Sequence, residues 1–118
     1  MGASMLTSEL DLPTVLAIKA FREKLVHDFA VEKTILFGSR ARKTHSQQSD
    51  ADVAVVLQGS TGSFIDTKFA MDDVAYEVLL DTGIRIQPLP IWHDEWNAPE
   101  RYVNPRLMHN IQHEGVSL

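Results

Sequence analysis

Residues 52–57, DVAVVL, constrain the fold of this chain more than any other stretch. Behind the aspartate come five small or branched apolar residues with no polar interruption. A strand with one wet face alternates polar and apolar side chains, whereas an unbroken run belongs to a strand covered on both faces, in the middle of a sheet. Two acids nevertheless open this run, Asp50 and Asp52, where burial would penalise their charge. They need a reason other than packing.

The flanking sequence says what surrounds that strand. Asp11 and Pro13 signal a helix start, and Val15, Ile18, Phe21, Leu25 and Phe29 follow at spacings of three and four, one face of an amphipathic helix. Lys33 to Phe37 predicts a strand closed by Gly38, with Ser39 capping a short helical turn through Arg42. The segment THSQQS, 44–49, reads as a solvated loop. Phe64 to Asp81 reads as a core-packing helix with two adjacent apolar stripes, Phe64, Met71, Val74 and Val78 beside Ile65, Phe69, Tyr76 and Leu80, ending at the C-cap Gly83. Ile84 to Ile91 predicts a third strand, which Pro88 and Pro90 push to a sheet edge. WHDEWNAPERYVNP reads as a loop, and Arg106 to His113 as a last short helix. This order predicts an α/β domain, a small mixed β-sheet packed with helices.

At 118 residues, 44% of them hydrophobic, the chain fits one domain spanning 1–118 with a single core. Residues 1–11 are expected to be flexible or partly tag, with Met1 to Ser4 a cloning remnant. A net charge of −5 argues against a broad nucleic-acid surface, though not against a local phosphate pocket. Without cysteine there is no disulfide framework or thiolate metal site, and no apolar run is long enough for a bilayer, so the expectation is a cytoplasmic protein with no membrane contact. No Gly-x4-Gly-Lys-Ser/Thr or Gly-x-Gly-x-x-Gly loop occurs.

The two acids acquire a use when read with the turn before them. Asp50 and Asp52 are two residues apart, so in a strand both side chains point to one face and reach one cation pair, such as two Mg²⁺ ions clamping a triphosphate. Gly38 permits close backbone approach to a phosphate, Ser39 offers a hydroxyl and an N–H, and Arg40, Arg42 and Lys43 bring positive charge. Each piece alone is commonplace: a Gly-Ser turn is usually a structural cap, and a basic triplet usually faces water. Specificity comes from their combination, a strand ending in Gly-Ser, ten intervening residues, then Asp-x-Asp leading into a buried strand.

GSRARKTHSQQSDAD, 38–52, resembles the Gly-Ser-x10-Asp-x-Asp signature of the DNA polymerase β-type nucleotidyltransferase superfamily, and the chain's size resembles the minimal nucleotidyltransferases (MNT). The resemblance extends over roughly Leu12 to Leu118 and implies a polymerase β-like nucleotidyltransferase fold. It further implies triphosphate binding by Gly38 and Ser39, Mg²⁺ held by Asp50 and Asp52 as the catalytic carboxylates, and ATP as donor. Many minimal members are antitoxins of HEPN-domain toxins, some transferring AMP to a tyrosine of the toxin, so the implied partner is a HEPN protein with which the chain would form an oligomer. Members commonly carry a third carboxylate on a later strand; Gln87 stands there here and cannot take a proton. Glu77, Asp81, Asp94 and Glu95 are the candidates to substitute. The alternatives are a catalytically weak member that neutralises its partner by binding alone and, ranked last, a transferase acting on small molecules.

Two further features have ordinary readings. His109 and His113 share a helix face without a third ligand and read as a surface pair. Trp92, Trp96 and Tyr102 form either a partner patch or a cover for the core.

Overall fold

The computed structural model of the protein describes residues 10–46 and 48–118; the expected remnant Met1–Ser4 lies outside them. Leu10 and Asp11, expected to be loose, are held. Leu10 is buried, and Asp11 Oδ2 accepts hydrogen bonds from the Thr14 N–H (3.1 Å) and hydroxyl (2.6 Å). These bonds cap helix α1 (Leu12–Leu25), satisfying donors that a helix start leaves open. The helix stops four residues before Phe29, which packs against the core from the following turn.

Four strands, β1 (Val31–Phe37), β2 (Ala51–Leu57), β3 (Ile86–Trp92) and β4 (Val116–Ser117), form one mixed sheet in the order β3-β2-β1-β4. The DVAVVL strand is internal, as expected. It runs antiparallel to β1 and parallel to β3, and β1 runs antiparallel to β4. A parallel neighbour requires a crossover, supplied by the helix Phe64–Thr82. Pro88 and Pro90 lie in β3, at the edge, as expected. The short strand β4 was not expected; it approaches β1 because Gly115 has no side chain, and a Cβ there would strike the Ile111 carbonyl and the Ile35 side chain.

Both faces of β2 are covered. Val53, Val55 and Leu57 pack with Ile18, Phe21, Met71 and Val78, while Ala54 and Val56 pack with Tyr102, Met108 and Ile111 on the other side. Fully burying a side chain of this size contributes about 1.5–3 kcal/mol. The remaining helices are α2 (Ser39–Arg42), α3 (Phe64–Thr82), α4 (His93–Asn97) and α5 (Pro105–Glu114), with a 3₁₀ turn at Pro99–Arg101. The segment expected to be a loop thus contains α4 and that turn; its polar, Pro-rich sequence hid two short helical pieces. Trp92 is buried in the core on the α1 and α3 side of the sheet, while Tyr102 is buried and Trp96 partly buried in the core on the α5 side, so these aromatics cover the core.

The reading of α3 is half corrected. Of the first stripe, Met71 and Val78 are buried together with Ala75 and Val74 is partly buried, but Phe64 at the helix start is exposed at 40%; Ile65, Phe69, Tyr76 and Leu80 of the second stripe are exposed at 58–68%. A helix lying on a sheet buries one stripe, and the second stripe here points away from it. Among the described residues, no helix is long and apolar enough to cross a membrane.

Candidate functional site

Antiparallel pairing of β1 with β2 sets Phe37 opposite Asp52, so the chain leaves the end of one strand beside the start of the other. Gly38 makes the exit. Its φ of 76° lies in the left-handed region, and a Cβ there would strike Asp52 Oδ2. Two independent constraints therefore require glycine. Gly38 also occupies the capping position of α2, with no side-chain cap bond, so Ser39 is the first helical residue and not the cap. Four residues later Lys43, at φ 60°, ends the turn.

Asp52 stands where the buried run meets solvent. Burial raises its pKa, the charge of Asp50 raises it further, and Arg42 pulls it partly back. The strand alternation places Asp52 on the same face as Ala54 and Val56, and Asp50, one residue ahead of the strand, has the same parity. The two carboxylates thus share an electrostatic environment. Asp50 has its own neighbours: the Gln87 amide Nε2 donates to its Oδ2 at 3.3 Å, and Arg85 Nε lies 3.9 Å from its Oδ1. Gln87 is the ladder partner of Asp52. The position expected for a third carboxylate is therefore beside the pair, but it presents an amide donor. Arg85 was missed in the sequence; it shares the parity of Gln87, two residues on, which was the available signal.

The basic triplet divides. Arg40, expected to contact phosphate, is 4% exposed; its Nη1 donates to Thr14 Oγ1 at 2.8 Å, and Nη2 and Nε donate to the Ser49 carbonyl at 2.9 and 3.1 Å. These three bonds tie α2 to α1 and to Ser49, so the guanidinium serves the fold and is not presented to a phosphate. Arg42 is exposed, with Nη1 3.9 Å from Glu114 Oε1. It lines a cleft of about 180 Å³ with Gly38, Phe37, Leu107 and Asn110.

Three of the four candidate substitutes for the third acid, Asp94, Glu95 and Glu77, have partners of their own. Asp94 accepts from the Thr61 N–H and hydroxyl, and Glu95 accepts from the Trp92 N–H. Both follow the far end of β3, about 20 Å along the strand from its start. Glu77 lies 3.4 Å from Lys24 across α1 and α3, and Asp81 is exposed in the last turn of α3. His109 and His113 stack with ring centroids 3.8 Å apart, and His113 Nδ1 lies 2.9 Å from the His109 carbonyl, as a surface pair. Among the described residues, no group of three or more His, Cys, Asp or Glu is placed to hold a metal ion. What the site offers a cation is a hard-oxygen pair, Asp50 and Asp52, whose mutual repulsion a divalent ion would relieve.

A sequence model of the nucleotidyltransferase domain matches residues 18–98. No curated protein matches the chain in sequence. Among solved structures, a Sulfolobus solfataricus protein provisionally described as a nucleotidyltransferase superposes with a TM-score of 0.51 at 17% identity, covering 91% of this chain and 86% of that one. At that identity the likeness shows the fold, a nucleotidyltransferase arrangement of a small mixed sheet and helices.

Proposed function

Because the chain belongs to the nucleotidyltransferase domain family, we propose that it transfers AMP from ATP, with Mg²⁺, to a hydroxyl of a partner protein, the hydroxyl oxygen bonding to the α-phosphorus as pyrophosphate leaves and the hydroxyl proton passes to solvent. The partner we favour is a HEPN toxin modified on a tyrosine, with this chain as its antitoxin. The observation that supports the reading is the close approach of Gly38 to the Asp52 carboxylate, whose charge is in turn coupled to Asp50. The specific partner rests on the resemblance of the 38–52 motif and of the chain's size to minimal nucleotidyltransferases.

Each residue has a task in this reading. Gly38 lets a phosphate approach the backbone, and Ser39 orients it through its hydroxyl and N–H. Arg42, exposed beside the same cleft, supplies positive charge to the phosphate oxygens. Asp50 and Asp52 would hold Mg²⁺, which when bound supplies charge neutralisation at the triphosphate. Arg40 fixes the position of the turn from behind.

Mass spectrometry of a co-expressed HEPN neighbour tests the proposal. The partner is expected to gain an adenylate group with the wild-type chain and none with the Asp50→Asn/Asp52→Asn double variant. Undiminished labelling by that variant would reject the mechanism. One observation favours the second reading, neutralisation by binding alone: Gln87 donates a hydrogen bond to Asp50 where a proton acceptor would be wanted. Under it the partner is inhibited but unmodified, and the aspartate variants inhibit it equally.

A further inference from the structure

We propose that the outer face of α3 is the docking surface for the protein acceptor, and that it receives an amphipathic helix with basic flanks. The proposal rests on the transfer reading above for the word acceptor, but the surface is argued from its own residues. Ile65, Phe69, Tyr76 and Leu80 recur at i, i+4, i+11 and i+15, so they form one line along the helix. That line spans about 22 Å, four turns of a helix. All four side chains are more than half exposed. Scattered exposed apolar residues need no explanation, but an aligned stripe on one helix has the pattern of a helix-in-groove contact.

The charges beside the stripe select its occupant. Helix α3 carries Asp66, Asp72, Asp73, Glu77 and Asp81 against a single basic residue, Lys68, which pairs with Asp72. Asp72 and Asp73 interrupt the stripe at its middle. A second acidic surface would be repelled, whereas a helix flanked by Lys or Arg gains both apolar burial and charge complementarity.

The stripe also leads to the site. Tyr76 and Asp72 line a cavity of about 280 Å³ together with Arg85 and Gln87, and these last two contact Asp50. A partner seated on α3 therefore has a continuous path from the apolar stripe, past Tyr76, to the acid pair.

Fluorescence anisotropy with two synthetic 18-residue helical peptides tests this, one with a Leu stripe and Lys flanks, the other with the same stripe and Glu flanks. The Lys peptide should bind the full chain at least about tenfold tighter. Phe69→Ser/Leu80→Ser, which removes apolar contact without adding charge, should weaken it about tenfold, and Asp73→Lys should narrow the preference between peptides, with melting and Mg²⁺-ATP affinity unchanged. Equal binding of both peptides, or no effect of the double variant, would overturn the proposal. So would a wild-type dimer in sedimentation that the double variant dissociates, because the face would then cover a second copy. Loss of the transfer reading has a different signature: Mg²⁺-ATP fails to bind the wild type while the peptide preference stands.

Discussion

Arg40 and Arg42 leave the same four-residue helix two positions apart and end in opposite environments. Arg40 is buried and bonded to Thr14 and Ser49, which come from the elements before and after the turn. Arg42 is exposed, reaches only as far as a weak contact with Glu114, and faces the cleft beside Gly38 and Asp52. The inner side of α2 makes the turn rigid, and the outer side is left open to a ligand. Identical residue types thus divide into a structural and a binding role because one side of a short turn faces the core.

The division predicts different losses on the two sides. Arg40→Ala should have the largest effect on stability, about 2–4 kcal/mol in urea denaturation, because the Thr14 hydroxyl and Ser49 carbonyl lose a charged donor in a buried setting. A loss within about 0.5 kcal/mol would show that the inner side is not what holds the turn. Gly38→Ala comes next, at about 1–3 kcal/mol, since the variant combines an unfavourable backbone conformation with a clash against Asp52.

Asp52→Asn should act in the opposite direction. Its folded pKa is raised above the usual 3.8, first by burial and then by Asp50. The folded state therefore holds that proton more tightly than the unfolded chain. The resulting stability is fully present below the unfolded pKa and is lost as pH rises through the folded value. At neutral pH the ionised side chain is a net liability in the metal-free protein, and replacing it should raise Tm by about 2–4 °C, a gain that vanishes near pH 3. Thermal scans at the two pH values measure this. The smallest stability change belongs to Arg42→Ala, within about 0.5 kcal/mol because its Glu114 contact is solvent-exposed. Its effect should appear instead as about tenfold weaker nucleotide binding, more so at low salt. Equal stability costs for Arg40→Ala and Arg42→Ala would erase the contrast.

The sequence disclosed the parts governed by local pattern. The unbroken DVAVVL run predicted an internal strand, the two prolines predicted the edge, and Gly38 before Ser39 with Asp50 and Asp52 pointed to one end of the sheet. What stayed hidden depended on tertiary placement. Nothing in Arg-Ala-Arg says which arginine faces inward, because that depends on Thr14 and on the 44–49 loop. The second stripe of α3 looked like core by composition, and only its angle to the sheet shows that it faces outward. β4 is two residues long, too short for any periodicity, and exists because Gly115 lets it approach β1. Asp94 and Glu95 were plausible acids by chemistry alone, and the parallel pairing of β2 and β3 places them at the wrong end.

Calorimetric titration of Mg²⁺-ATP into the wild-type chain and into Asp52→Asn tests most directly whether the acid pair and the Gly38–Ser39 turn form one metal-triphosphate site. Binding to the wild type that disappears in Asp52→Asn, while the variant melts at or above the wild-type temperature, is the predicted result. Equal affinity in the two proteins would contradict the account.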